Sequence, residues 1–169
     1  MQFLAIVLIA VVGGAAYGIV HDQVTVRVCL EYFTIGHPPL FRTQSPTLLA
    51  IGWGIAATWW VALPLGFSLA AAARVGPRGK WTARQVIRPL VVLLIAMGGC
   101  ALFAGLAGYL LVRAGIVDIP PWVTANIPEP SRLAFMADWW AHSASYLSGI
   151  VGAAFLCAYV WRARAQVTT

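Results

Sequence analysis

Four stretches of the chain, approximately 3–20, 47–73, 89–112 and 133–161, are apolar and nearly free of charge. Each can cross a hydrocarbon layer of about 30 Å, which takes roughly 20 helical residues at ~1.5 Å apiece. Backbone polar groups in lipid must be satisfied within the segment itself, so each run is read as a helix. Together they leave little of the 169 residues for a soluble domain. Composition agrees: 61% hydrophobic against 9% charged residues is too little polar surface for a water-soluble fold of this size. The expected fold class is an all-α membrane protein, one integral domain over 1–169, built as a four-transmembrane-helix bundle with an extended outer loop in a lipid bilayer.

Local signals mark the helix ends. Ser45-Pro46 opens the second run with a cap and a first-turn proline, and Thr82 to Gln85 reads as a capping box leading into the third. Ser131 is the expected cap of the fourth. Gly14 and Gly18 form a close-packing face on the first run, and Ser145, Ser148, Gly149 and Gly152 a small-residue stripe on the fourth. Pro64 is expected to kink the second.

Charge orients the bundle. Arg74, Arg78, Lys80, Arg84 and Arg88 lie between the second and third runs, Arg162 and Arg164 follow the fourth, and no acidic residue accompanies them. All five acidic residues fall on the other side. Basic loops stay in the cytoplasm, so the reading is a multi-pass protein of a bacterial inner membrane with both termini cytoplasmic and outer loops at 21–45 and 114–132. Gly13-Gly14-Ala15-Ala16 leaves a cleaved signal peptide as the alternative for the first run. In the first outer loop, Val24, Val26, Val28, Leu30 and Tyr32 alternate with Thr25, Arg27, Cys29, Glu31 and Phe33. That period of two predicts an extended strand or ribbon on the bundle's outer face.

All three histidines and three of the five carboxylates gather at this outer end: His21, Asp22, Glu31 and His37 in one stretch, Asp138 and His142 in another. Asp138 and His142 stand four apart on one helix face, a spacing at which two side chains can share an ion. Adjacent His21 and Asp22 are not expected to point at the same ion. His21, Glu31, His37, Asp138 and His142 are therefore the candidate metal ligands, with Asp22 and Arg27 in supporting roles. A mixed nitrogen and oxygen set suits zinc, iron or manganese better than copper(I) or calcium. The same residues also have a plain structural explanation. Charged groups at helix ends face water or headgroups, Asp138 suits a helix N-terminus, and an Asp138–His142 or Arg27–Glu31 pair would tie the loop to the bundle.

The runs carry no ionisable residue near their centres, which argues against a classical pump, and no histidine lies at the midplane, so no haem is expected. Three cysteines imply no disulfide framework. No nucleic-acid partner is expected, whereas other membrane subunits are plausible partners for glycine-lined helices.

The segment from Tyr17 to Phe41 contains His21-Asp22-Gln23-Val24-Thr25 followed by Glu31-Tyr32-Phe33-Thr34. It resembles the signature of a family of uncharacterised bacterial multi-span membrane proteins, in which a His-Asp-Gln-(Val/Ile)-Thr/Ser element precedes Glu-Tyr-Phe-Thr. The resemblance implies no particular activity, but it falls on His21, Asp22 and Glu31. The sequence thus reads as an integral membrane protein of unknown activity with a candidate His/carboxylate metal or substrate site on its outer face. The alternatives are an accessory subunit of a membrane complex and a small solute transporter or channel.

Overall fold

A computed structural model describes residues 1–164. The C-terminal end of the cytoplasmic-terminus reading, 165–169, lies outside the described residues. The elements are α1 (Gln2–Val28), α2 (Leu30–Thr34), α3 (Pro46–Ala56), α4 (Trp59–Arg74), α5 (Ala83–Arg113), α6 (Pro121–Asn126), a 3-10 turn (Glu129–Ser131) and α7 (Arg132–Ala163). Four units, α1, α3 with α4, α5 and α7, are long and apolar enough to cross a membrane. The protein is all-α, with no strand among the described residues.

The helices form two close pairs. α1 lies along α3 and α4, and α5 lies along α7, while α1 with α5 and α4 with α7 join the pairs more lightly. Small residues set the first seam: a Cβ on Gly14 would stand 2.7 Å from Ala62, and one on Gly18 or Gly54 would collide with backbone of the facing helix. Only glycine permits that approach. In the second seam Gly108 receives the Trp140 ring and Gly105 faces Ala137 and Ala141. The stripe on α7 is a helix contact as expected, with Gly149 against Met97 and Gly152 against Leu93.

The Thr82–Gln85 capping box forms, with the Thr82 N–H donating to Gln85 at 2.7 Å. Ser131 stands at the N-cap of α7 but its hydroxyl is used elsewhere, donating to Glu31 Oε1 at 2.9 Å. Pro64 lies inside a continuous α4, and the second span is interrupted earlier, at Ala57 and Thr58. Proline has no N–H to donate to the carbonyl four residues earlier, at Trp60, and its ring crowds that turn, so the disturbance falls on its N-terminal side. Thr58 adds to it: its hydroxyl bonds the Gly54 carbonyl while its N–H turns to Ile55 at 3.2 Å.

The expected outer ribbon is not extended. The first helix continues past residue 20 to Val28, and α2 follows after a single extended residue, Cys29, so the loop between the first two spans shrinks to 35–45. Burial shows why the alternation misleads: Val24 and Val28 are exposed whereas Asp22, Thr25, Val26 and Cys29 are buried, a helical rather than a two-residue period. Propensity of the β-branched residues yields to a helix already propagating, and Thr25 returns its hydroxyl to the His21 carbonyl.

Apolar packing concentrates at the two ends. One patch, including Ile6, Leu69, Leu90 and Leu156, lies at the basic end; two others, around Phe135 with Ile127 and around Phe33 with Trp53, lie at the opposite end. Between them the helix pairs enclose a cavity of about 130 Å³.

Candidate metal centre

The helical continuation of α1 decides the geometry. With α1 extended, Tyr17 and His21 stand one turn apart on the face turned towards α7, where Asp138, His142, Ser145 and Gly149 repeat at intervals of three and four. Two hydrogen bonds cross from α1 to α7. Tyr17 and Ser145 hydroxyls are 2.8 Å apart, and His142 Nε2 lies 3.3 Å from Asp22 Oδ1. Asp22, Asp138, His142 and Ser145 are all buried.

His21, Asp22 and His142 each place one ligand atom inside a group whose members lie within 4.8 Å of one another. The rings of His21 and His142 meet edge to face with centroids 4.5 Å apart, and Tyr32 stacks on His142 at the same distance. The proton inventory of this group is incomplete. His142 Nδ1 faces the Asp138 carbonyl at 2.8 Å, and a carbonyl only accepts, so Nδ1 carries the hydrogen. In a neutral ring Nε2 is then an acceptor, and it faces the Asp22 carboxylate, another acceptor. A proton on either partner closes this contact as an ordinary hydrogen bond or ion pair, and a metal ion between them would close it equally. His21 Nε2 is buried without any partner beside this contact.

One separation in the group suits a divalent ion. Two ligands held 2.0–2.1 Å from a tetrahedral ion stand about 3.3 Å apart, the His142–Asp22 separation. An ion would also give His21 Nε2 its missing partner. His142 already has the outer arrangement of a ligating histidine, its second nitrogen donating to a backbone carbonyl. Two imidazoles and one carboxylate match the pattern that holds zinc or non-haem iron with positions left open.

The sequence candidates separate. His21 and His142 come together, and Asp22, expected only to support, is the carboxylate among them. Adjacency does not prevent His21 and Asp22 from converging, because both side chains bend towards the seam between α1 and α7. Asp138 is buried beside the cluster but contributes its backbone oxygen to His142, and its Oδ2 has no partner. Glu31 and His37 are not members of the group. Glu31 accepts from Ser131 and from the Cys29 thiol, and its own backbone N–H with the Ser131 hydroxyl holds its carboxyl below the usual range. His37 donates from Nδ1 to the Tyr32 carbonyl at 2.7 Å and packs on Trp53; burial lowers its pKa and keeps the ring neutral. Arg27 bonds Gln23 and Thr47 rather than Glu31. Burial pushes the Cys29 thiol up to about 12, which leaves it unreactive.

Tyr17 and Ser145 belong to this site and were not singled out as candidates for it. Their signal was available: each stands one helical turn from a histidine of the cluster, at i,i+4 and i,i+3. Searches of known families, characterised proteins and solved structures return no match to the chain.

Proposed function

We propose that this chain is an integral membrane metalloprotein whose divalent ion is held by His21, Asp22 and His142 at one end of the internal cavity. The observation that carries the reading is the buried, orphaned His21 Nε2 beside the His142 Nε2–Asp22 Oδ1 contact, which gathers imidazole nitrogen and carboxylate oxygen at one point. Three protein ligands leave coordination open, the pattern of ions that bind or activate a ligand rather than of closed structural sites. Zinc, iron(II) and manganese(II) all accept two nitrogens and an oxygen. Tyr17 and Ser145, hydroxyl to hydroxyl at the same depth, are placed to contact whatever takes the open position.

The test is elemental analysis of protein purified in detergent and loaded with zinc, iron(II) or manganese(II). About one equivalent should be retained, and His21→Ala, Asp22→Ala and His142→Ala should each lose it with helical content unchanged. A wild-type chain that retains no more metal than the His142→Ala variant overturns the reading, leaving Asp22 and His142 as a proton-sharing pair that ties α1 to α7.

The orientation belongs to the same proposal. The basic end, with Arg78 on the Trp161 carbonyl at 2.9 Å and Arg164 on the segment 72–79, is assigned to the cytoplasmic side of a bacterial inner membrane and the metal centre to the outer side. Topology reporters inserted at Gly79 and at Asn126 should read cytoplasmic and external respectively; the reverse result overturns the assignment.

A further inference from the structure

The basic end carries seven Lys or Arg side chains and no Asp or Glu. Three are occupied by the fold: Arg74 donates to the Trp81 carbonyl at 3.0 Å, Arg78 to that of Trp161, and Arg164 to the turn after α4. Lys80, Arg84, Arg88 and Arg162 are exposed and have no acceptor among the described residues. Two of the four share one face. Arg84 and Arg88 stand one turn apart at the start of α5, their side chains rooted about 6 Å from each other. The same face continues as Val91, Ile95, Leu102 and Leu106, all exposed, and at Gly99 a Cβ would meet nothing within 4 Å. From Arg88 to Gly99 the helix rises about 16 Å, close to half of the ~30 Å hydrocarbon layer. A pair of forked cations therefore crowns an apolar stripe as deep as one leaflet.

We propose that Arg84 and Arg88 hold the phosphodiester of an anionic phospholipid, one whose headgroup carries no cation of its own, and that its acyl chain lies along α5 as far as Gly99. Two guanidinium groups with no anion in reach repel each other, and the planar fork of each matches phosphate oxygens two at a time. The positive end of the α5 macrodipole adds to the attraction. A soluble anion would meet the charges and leave the stripe uncovered. A zwitterionic lipid would cover the stripe and bring its own cation to the arginines. The site is independent of the metal reading and of the assigned orientation, since it requires only that this end lie at a membrane surface. Holding basic loops on one side of a membrane takes cations but no particular pair, and the experiment separates the two.

Full-length protein in a neutral detergent is to be titrated with phosphatidylglycerol or with phosphatidylcholine bearing the same acyl chains, and bound lipid counted by native mass spectrometry. Each basic side chain near an anionic headgroup is worth about fivefold in affinity, so the first phosphatidylglycerol should bind roughly tenfold or more tightly than phosphatidylcholine. Arg84→Gln combined with Arg88→Gln should reduce that preference to about twofold or less. Lys80→Gln combined with Arg162→Gln removes the same charge from the same end and should keep most of the preference. Inorganic phosphate added in excess should not displace the lipid. A wild type that takes both lipids equally overturns the site, whatever the variants do. Equal loss in the two double variants means a diffuse basic surface, and displacement by inorganic phosphate means a site for a soluble anion; either result overturns the proposal.

Discussion

The two ends of this bundle bury polar groups in opposite ways. At the basic end Arg164 is completely buried, and its guanidinium donates to the carbonyls of Ala72, Val75, Arg78 and Gly79. Those carbonyls belong to the end of α4 and the turn after it, where helix geometry leaves acceptors without partners and the macrodipole is negative. Among the described residues no buried side-chain nitrogen or oxygen there lacks a partner. At the opposite end His21 Nε2 and Asp138 Oδ2 have none, although His142 and Asp22 pair beside them. Buried polar atoms are nearly always satisfied, so the first arrangement reads as a strut and the second as a place made for something else.

The largest effect that would test this contrast is on the strut. Arg164→Ala should lower stability in detergent by roughly 3 kcal/mol, since charge-assisted hydrogen bonds disappear together and leave buried carbonyls unpaired. Arg164→Lys should recover only part, because an ammonium cannot span carbonyls arranged for a planar fork. Neither variant should change metal content. Unfolding curves that coincide with wild type would show that the Arg164 contacts hold nothing together.

Next in size is the response of the other end to its ligand. Zinc at a hundredfold excess over its dissociation constant should stabilise the wild type by about 2.7 kcal/mol and leave His142→Ala unmoved. Equal shifts in both proteins would place the binding elsewhere. The complement is His21→Leu in metal-free protein. Removing a buried nitrogen that has no partner should cost nothing and can raise stability by up to about 1 kcal/mol, although the same change should abolish metal retention. A loss of more than that in the metal-free state would mean that His21 is a structural residue after all.

The same contrast explains what could be read from the sequence. The existence of four spans, the capping box at Thr82 and the small-residue faces at Gly14 with Gly18 and at Gly149 with Gly152 follow from apolar run length and residue size, which are properties of single segments; the first helix nevertheless runs eight residues past its expected end, to Val28. The outer ribbon fails because Val24, Val26 and Val28 fit a strand locally, while continuity with the rest of α1 decides the outcome. That failure propagated to the site. An extended segment after residue 20 gives Asp22 no fixed direction and places Glu31 and His37 as near to His142 as His21. Once α1 is helical through Val28, His21 and Asp22 acquire depth and direction together, and Glu31 is carried past the cluster to Ser131. The composition of the cluster was visible in one dimension; which carboxylate joins it is a matter of helix phase.

The smallest expected effects concern the segment that covers the cluster, Cys29 to His37. It is fastened by the Glu31–Ser131 hydrogen bond and by His37 against Trp53, both of the satisfied kind. Ser131→Ala should cost about 0.5–1 kcal/mol, as one hydrogen bond is lost in a partly exposed place. Acid should loosen the segment by the same route. The docked His37 has its pKa below the ordinary value of about 6.5, so the undocked form binds a proton that the docked form refuses, and docking weakens as pH falls below that value. Glu31 acts in the same direction at lower pH, because its docked pKa is also depressed and its contribution is lost as the carboxylate is protonated. Amide protection factors over 29–37 should therefore fall on acidification below about pH 6.5, and His37→Phe should remove the first part of that fall while preserving the packing on Trp53. Protection in His37→Phe that still follows the wild-type profile would assign the acid response to the cluster beneath, around Asp22 and His142.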